Sequence, residues 1–187
     1  MDVFWSNTYE GASIAQLTEA MGISAPSLYA AFGDKAALFR EALGLYLERY
    51  GDAIWAPLEA APAARDGVAR LLAATAEAYS RPDTPRGCMV VLGAQHGGLD
   101  DPVRSDLRAR RLANWKDLEA RMRRGVAEGD VPPTFDIPAA AAFYMAVQTG
   151  MSVLARDGAD REALCAAAAG AMQAWDGFDR NSGTDER

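Results

Sequence analysis

The chain has 187 residues, half of them hydrophobic, which is enough for one ordinary core or for a small domain joined to a larger one. Its formal charge of −7 excludes non-specific adhesion to nucleic acid by the molecule as a whole, so any DNA contact must come from a local arrangement. Two cysteines, Cys88 and Cys165, stand in apolar surroundings with no CxxC pair and no histidine partner nearby, which fits reduced, buried thiols in a cytoplasmic protein.

Residues 1–9 read as the tail of a helix that starts upstream, with Val3, Phe4 and Trp5 as its apolar surface and Gly11 as its stop. No basic region followed by an apolar one opens the chain, so no signal peptide is expected. Ser13 to Met21 begins with a capping box, Ser13 and Gln16, and repeats Ile14, Leu17 and Met21 at helical spacing. Gly22 ends it in the left-handed conformation. Ser24 caps a second short helix, Ala25 to Ala31, with Pro26 in its first turn, where a missing amide costs little. Gly33 stops that helix. Asp34 caps a longer one to Tyr50, with Leu38, Phe39, Ala42, Leu43, Tyr46 and Leu47 on one face.

Gly51 to Pro62 is mixed, with a short helical piece around Ile54 and Trp55. Helices are expected over Arg65–Ser80 and Asp101–Glu128, and Gly87–Gln95 reads as a short apolar helix or buried segment. Two more are expected over Ile137–Arg156, capped by Asp136, and from Asp160 to about Phe178. No apolar run is long enough to span a bilayer, because Gln148 cuts the longest one, so no membrane partner is expected. Residues 179–187 are polar and expected to be disordered. With few stretches rich in Val, Ile or Thr, the fold class is all-α. The expected domains are residues 1–50, residues 51–178 and a tail.

Two short helices joined by a glycine turn match a helix-turn-helix, with Leu17, Met21, Ile23 and Leu28 pointing inward to hold a steep crossing. An ordinary helical hairpin inside a core fits the periodicity equally well. The decisive run is Ser24-Ala25-Pro26-Ser27-Leu28-Tyr29-Ala30-Ala31-Phe32-Gly33-Asp34-Lys35, followed by Leu38-Phe39 and preceded by Tyr9-Glu10-Gly11-Ala12-Ser13-Ile14. Over residues 3 to about 50 it closely resembles the DNA-binding domain of the TetR family of repressors. Beyond residue 50 the resemblance is architectural only.

The resemblance implies an N-terminal helix-turn-helix domain and a C-terminal helical domain for ligand binding and dimerisation. Ser24, Ala25, Pro26 and Ser27 would open the recognition helix against base edges, where small side chains allow close approach but few bidentate contacts. Tyr29 matches the family's phosphate-binding tyrosine, with a core aromatic as the other reading. Lys35 matches a phosphate-binding lysine. Ser13 can offer its hydroxyl and the helix amides to another phosphate. The only basic residues up to Tyr50 are Lys35, Arg40 and Arg49.

The implied partners are operator DNA of near-palindromic sequence, a second copy of the chain held through the last two helices, and a small, mainly apolar effector. Pocket candidates are Tyr79, Met89, Leu92, Trp115, Phe143 and Gln148, each of which also reads as plain core. His96 reads as a loop residue, Cys88 as a buried thiol with redox sensing as its alternative, and Arg108, Arg111, Arg121 and Arg124 as a solvated face paired with Asp106, Asp117 and Glu128. No nucleophile–base pair, metal cluster or cofactor loop is present in the pattern, so neither an enzyme nor a cofactor is expected. The expected function is a ligand-responsive transcriptional repressor. The alternative is a helical dimer with an N-terminally truncated domain that no longer binds DNA.

Overall fold

The computed structural model describes residues 1–94 and 101–180, and among these the architecture is all-α. The helices are α1 (Asp2–Gly11), α2 (Ile14–Met21), α3 (Ala25–Phe32), α4 (Lys35–Tyr46), α5 (Asp52–Ala60), α6 (Ala64–Tyr79), α7 (Met89–Leu92), α8 (Pro102–Glu128), α9 (Ile137–Arg156) and α10 (Arg161–Met172). Their starts follow the sequence closely. Ser13, Ser24, Asp34, Asp101, Asp136 and Asp160 each accept a backbone amide in the first turn of the next helix, satisfying a donor that has no intrahelical partner.

A π-helical turn, Leu47–Gly51, carries α4 directly into α5, so one helical run extends from Lys35 to Ala60 and Gly51–Pro62 is more regular than the sequence pattern suggests. The N-terminal helices pack on this run through Phe4, Trp5, Phe39 and Tyr46, all buried. Phe4 meets Phe39 edge-on at 5.1 Å, and Trp5 meets Tyr46 edge-on at 4.8 Å between ring centroids.

α8 runs through the middle of the larger part, touching α4, α5, α6, α7 and α9. That placement overturns the expectation of one solvated arginine face. Arg121 is fully buried and donates to the Ala61 carbonyl at 3.1 Å. Arg111 is half-buried and donates to the Val90 carbonyl at 2.8 Å. Asp106 pairs with Arg40 of α4, and Arg124 with Glu59 and Glu128.

α9 is long and apolar enough, by length and composition, to cross a membrane, contrary to the sequence expectation. Its apolar side packs instead on α6, α8 and α10, and Gln148 is buried with its amide donating to Thr75 Oγ1 at 3.0 Å. The last helix is shorter than expected: α10 ends at Met172 and a separate 3-10 turn covers Trp175–Phe178. Of the tail expected to be disordered, Asp179 and Arg180 are held by specific contacts, and residues 181–187 lie outside the described residues. Thr134 donates to Asp179 at 2.5 Å, and Arg180 pairs with Asp136 at 2.6 Å, which holds the Asp136 carboxyl below its ordinary range.

Candidate nucleic-acid interface and effector cavity

α2 and α3 form the expected pair of short helices. The reciprocal capping box is present: Gln16 N–H donates to Ser13 Oγ at 3.2 Å, and Ser13 N–H donates to Gln16 Oε1 at 2.8 Å. Gly22 ends α2 at φ 66°, a left-handed angle that any side chain would strain. Leu17 and Leu28 are buried and set the crossing, and Ile23 is half-buried. Met21, expected inside, is 40 % exposed. It sits in the last turn of α2, over an open groove that it shares with Met1, Phe32 and Leu38.

With Leu28 inward, the opposite face of α3 is outward. Pro26, Ser27 and Ala30 are exposed, Ala25 is half-buried, and Tyr29 is 47 % exposed, so the reading of Tyr29 as core fails. Ser24 and Ser27 join their hydroxyls at 2.8 Å while Ser27 N–H donates to Ser24 Oγ. The first turn of α3 thus presents a compact, largely small-side-chain surface. Lys35 opens α4 beside it. Its Nζ lies 4.8 Å from the centroid of the Tyr9 ring, a cation–π contact, and partial burial lowers its pKa against the raising effect of Glu10. Arg40 is committed to Asp106 at 2.7 Å, so Lys35 and the helix N-terminal amides are left as the positive features nearest the exposed face. Ser13 is exposed, with its hydroxyl engaged in the capping box.

The two parts of the molecule are joined at α1. Arg156, at the end of α9, donates to the carbonyls of Trp5, Ser6 and Arg86 at 2.7, 3.0 and 3.1 Å. Trp5 Nε1 donates to the Gly87 carbonyl at 3.1 Å, and Tyr9 N–H to the Gly93 carbonyl at 2.6 Å. To reach Gly93, α1 kinks at Thr8, whose φ of 64° is strained for a β-branched residue. No periodicity announces these contacts, because carbonyl acceptors exist in every sequence.

The six pocket candidates do not converge. Tyr79 and Gln148 line a small enclosed cavity of about 20 Å³ together with Tyr46, Cys88, Arg111 and Asn114. Trp115 lines an open groove of about 700 Å³ between α8 and α9. Phe143 lies on the outer face of α9 and α10, in a shallow groove with Val147, Gly150, Leu154, Ala167 and Gly170. Met89 is fully buried in the core, and Leu92 is half-buried beside it. His96 lies outside the described residues. Among the described residues no cluster of His, Cys, Asp or Glu could hold a metal ion.

Sequence reasoning missed the polar lining of the cavity. Tyr46 donates its hydroxyl to Cys88 Sγ at 3.4 Å, Tyr79 lines the same cavity, and Cys88 N–H donates to Ser152 Oγ at 2.8 Å. Burial pushes both phenols far up, so they remain protonated. Cys88 is buried, whereas Cys165, expected to be buried, is exposed on α10.

Comparison with known proteins gives the same frame. Residues 1–42 match the family of bacterial regulatory proteins described as the tetR family, and residues 65–172 match the tetracyclin repressor-like C-terminal domain. The chain is 32 % identical over 177 residues to the HTH-type transcriptional repressor ComR of Escherichia coli K12, covering 94 % of this chain and 84 % of that protein. It is 29 % identical to the repressor BdcR of the same organism, covering 92 % and 83 %. A solved structure of the TetR family regulator CifR, a cysteine-substituted form in complex with 26-base-pair operator DNA, superposes with a TM-score of 0.89 at 48 % identity, covering 93 % of this chain and 92 % of that one. The chain therefore belongs to the TetR family of transcriptional regulators.

Proposed function

We propose that this protein is a homodimeric repressor that binds a near-palindromic operator through α3 and leaves it when a small, mainly apolar effector enters the C-terminal domain. The observation that carries the DNA-binding half is the outward face of α3: Pro26, Ser27 and Tyr29 are solvent-exposed while Leu28 is fully buried. A helix anchored on one side and bare on the other can enter a major groove, and small residues in its first turn let it approach base edges closely. Tyr29, Lys35 and Ser13 act on phosphates, and Ser24 and Ala25 stand with Pro26 and Ser27 at the base edges. The relatives named as repressors support the direction of regulation, and the operator complex of CifR supports the docking mode.

Dimerisation uses the outer face of α9 and α10, where Phe143 and Leu154 are exposed beside Gly150, Ala167 and Gly170. Small residues permit close helix approach, and a contiguous apolar patch on the surface needs covering. The effector shifts the dimer only if it binds the DNA-incompetent state more tightly.

Binding-site selection with the purified chain, followed by gel shift on the selected duplex, tests the reading. Tyr29→Phe and Lys35→Ala are each expected to weaken binding by roughly tenfold across sequences and to reduce its salt dependence. Failure to enrich any sequence would favour a helical dimer without DNA binding, and unchanged affinity in both variants would remove the phosphate roles.

A further inference from the structure

The open groove between α8 and α9 is apolar along its floor and positive at one end. At about 700 Å³ it falls within the range of small-molecule sites, roughly 300–1,000 Å³. Leu112 and Trp115 of α8 and Ala142, Met145 and Ala146 of α9 make the floor. Trp115 Nε1 donates to Glu119 at 3.1 Å, and Glu119 is itself paired with Arg123. The indole N–H is thus tied to its own helix, and the ring is left to the groove. Leu112 is 41 % exposed, so part of this apolar surface lacks cover.

Arg108 and Arg111 line the same groove, and no acidic residue lines it. With Arg104 they follow one another at helical spacing, on one side of α8. Farther along α8 the arginines are answered: Arg121, Arg123 and Arg124 each have a glutamate within ion-pair distance. Among the described residues Arg108 has no ion-pair partner. Arg111 is half-buried and spends one of its five N–H donors on the Val90 carbonyl. Burial lowers its pKa, and the nearby Arg104 and Arg108 lower it further. Like charges crowded at the end of an apolar groove are relieved by an anion.

We propose that the effector is an amphipathic monocarboxylic acid, bound in this groove with its carboxylate on Arg108 and Arg111 and its apolar body over Leu112, Trp115 and Met145. From Arg108 to Trp115 the helix rises about 10 Å, the length of a medium acyl chain or of two fused aromatic rings. A carboxylate accepts charge-assisted hydrogen bonds from guanidinium N–H groups, which a neutral alcohol of the same shape does not match. The proposal rests on the ligand-responsive reading above and gives the effector a charge. Gly150 borders both this groove and the α9/α10 face assigned above to the dimer. An occupant therefore touches the surface whose geometry spaces the two DNA-facing helices.

The test is calorimetric titration of the purified full chain with submicellar decanoate and with naphthoate, against decanol as the uncharged control. Both acids are expected to bind saturably, and decanoate at least about tenfold more tightly than decanol. Arg108→Glu should weaken both acids by at least about tenfold while leaving the melting temperature unchanged, since Arg108 is exposed and unpaired among the described residues. Ala146→Trp, at another exposed position, fills the floor without altering charge and should abolish binding of both acids. Decanoate is further expected to release the selected operator duplex from the native chain but not from Arg108→Glu. Absence of binding by either acid, equal affinity for decanol, or undiminished binding in either variant would each overturn the proposal. Binding that leaves a selected operator complex intact would overturn the effector role. The calorimetry needs no DNA, so a chain that selects no operator defeats the repressor reading while the ligand of the groove is still decided.

Discussion

Gly87 does work that no larger residue could do. It adopts φ 79°, and an added Cβ would lie 2.7 Å from the Ser152 carbonyl oxygen and 2.9 Å from Leu92 Cδ1. Its carbonyl also receives the Trp5 indole. Gly87→Ala is therefore expected to lose about 2–4 kcal/mol of stability in a urea melt, from left-handed strain together with overpacking. The sequence marked Gly87 only as the edge of an apolar segment, because a glycine's φ and its neighbours are not written in its spacing. Ser13, Ser24 and Asp34 were legible for the opposite reason. A cap acts within three residues, so its partner is visible in the same short stretch of chain.

At the scale of elements, the joint between α1 and α9 is held by one guanidinium. Arg156 donates to three carbonyls, two on α1 and one before α7, and its partial burial lowers its pKa without removing its charge. Arg156→Gln is expected to cost about 2–3 kcal/mol, as hydrogen bonds from a charged donor are lost and their acceptors stranded. Hydrogen exchange should localise the loss, with the α1 amides exchanging faster and the middle of α9 unchanged. An unaltered α1 would mean that the kink at Thr8 and the Tyr9–Gly93 bond suffice to dock it. Helix existence was largely legible, from apolar spacing and glycine stops. Helix continuity was not: the α4–α5 run crosses Gly51 through a π-helical turn, and helical φ/ψ there depends on the packing of Ile54 and Leu58.

For the whole molecule, the question is what covers the outer face of α9 and α10. Leu154 is 49 % exposed, so replacing it should disturb the fold by no more than about 0.5 kcal/mol. If that face is the dimer interface, Leu154→Glu buries one charge from each protomer within it. The expected result is a monomer by light scattering, with an operator affinity at least about tenfold weaker because one half-site is lost. A dimer that survives Leu154→Glu would move the interface elsewhere. By itself the amino-acid order determined everything that acts over a few residues: the caps, the glycine stop at Gly22, the inward Leu17 and Leu28, and with them the helix-turn-helix. Tertiary structure alone decided which arginines of α8 are buried, that Met21 is exposed, that the pocket candidates part among three pockets and the core, and that Cys88 meets Tyr46. Those outcomes depend on residues distant in the chain coming together, such as Cys88 with Tyr46, 42 positions apart, and Arg121 with Ala61, 60 positions apart. Helical periodicity says which face is apolar but not which neighbour will cover it.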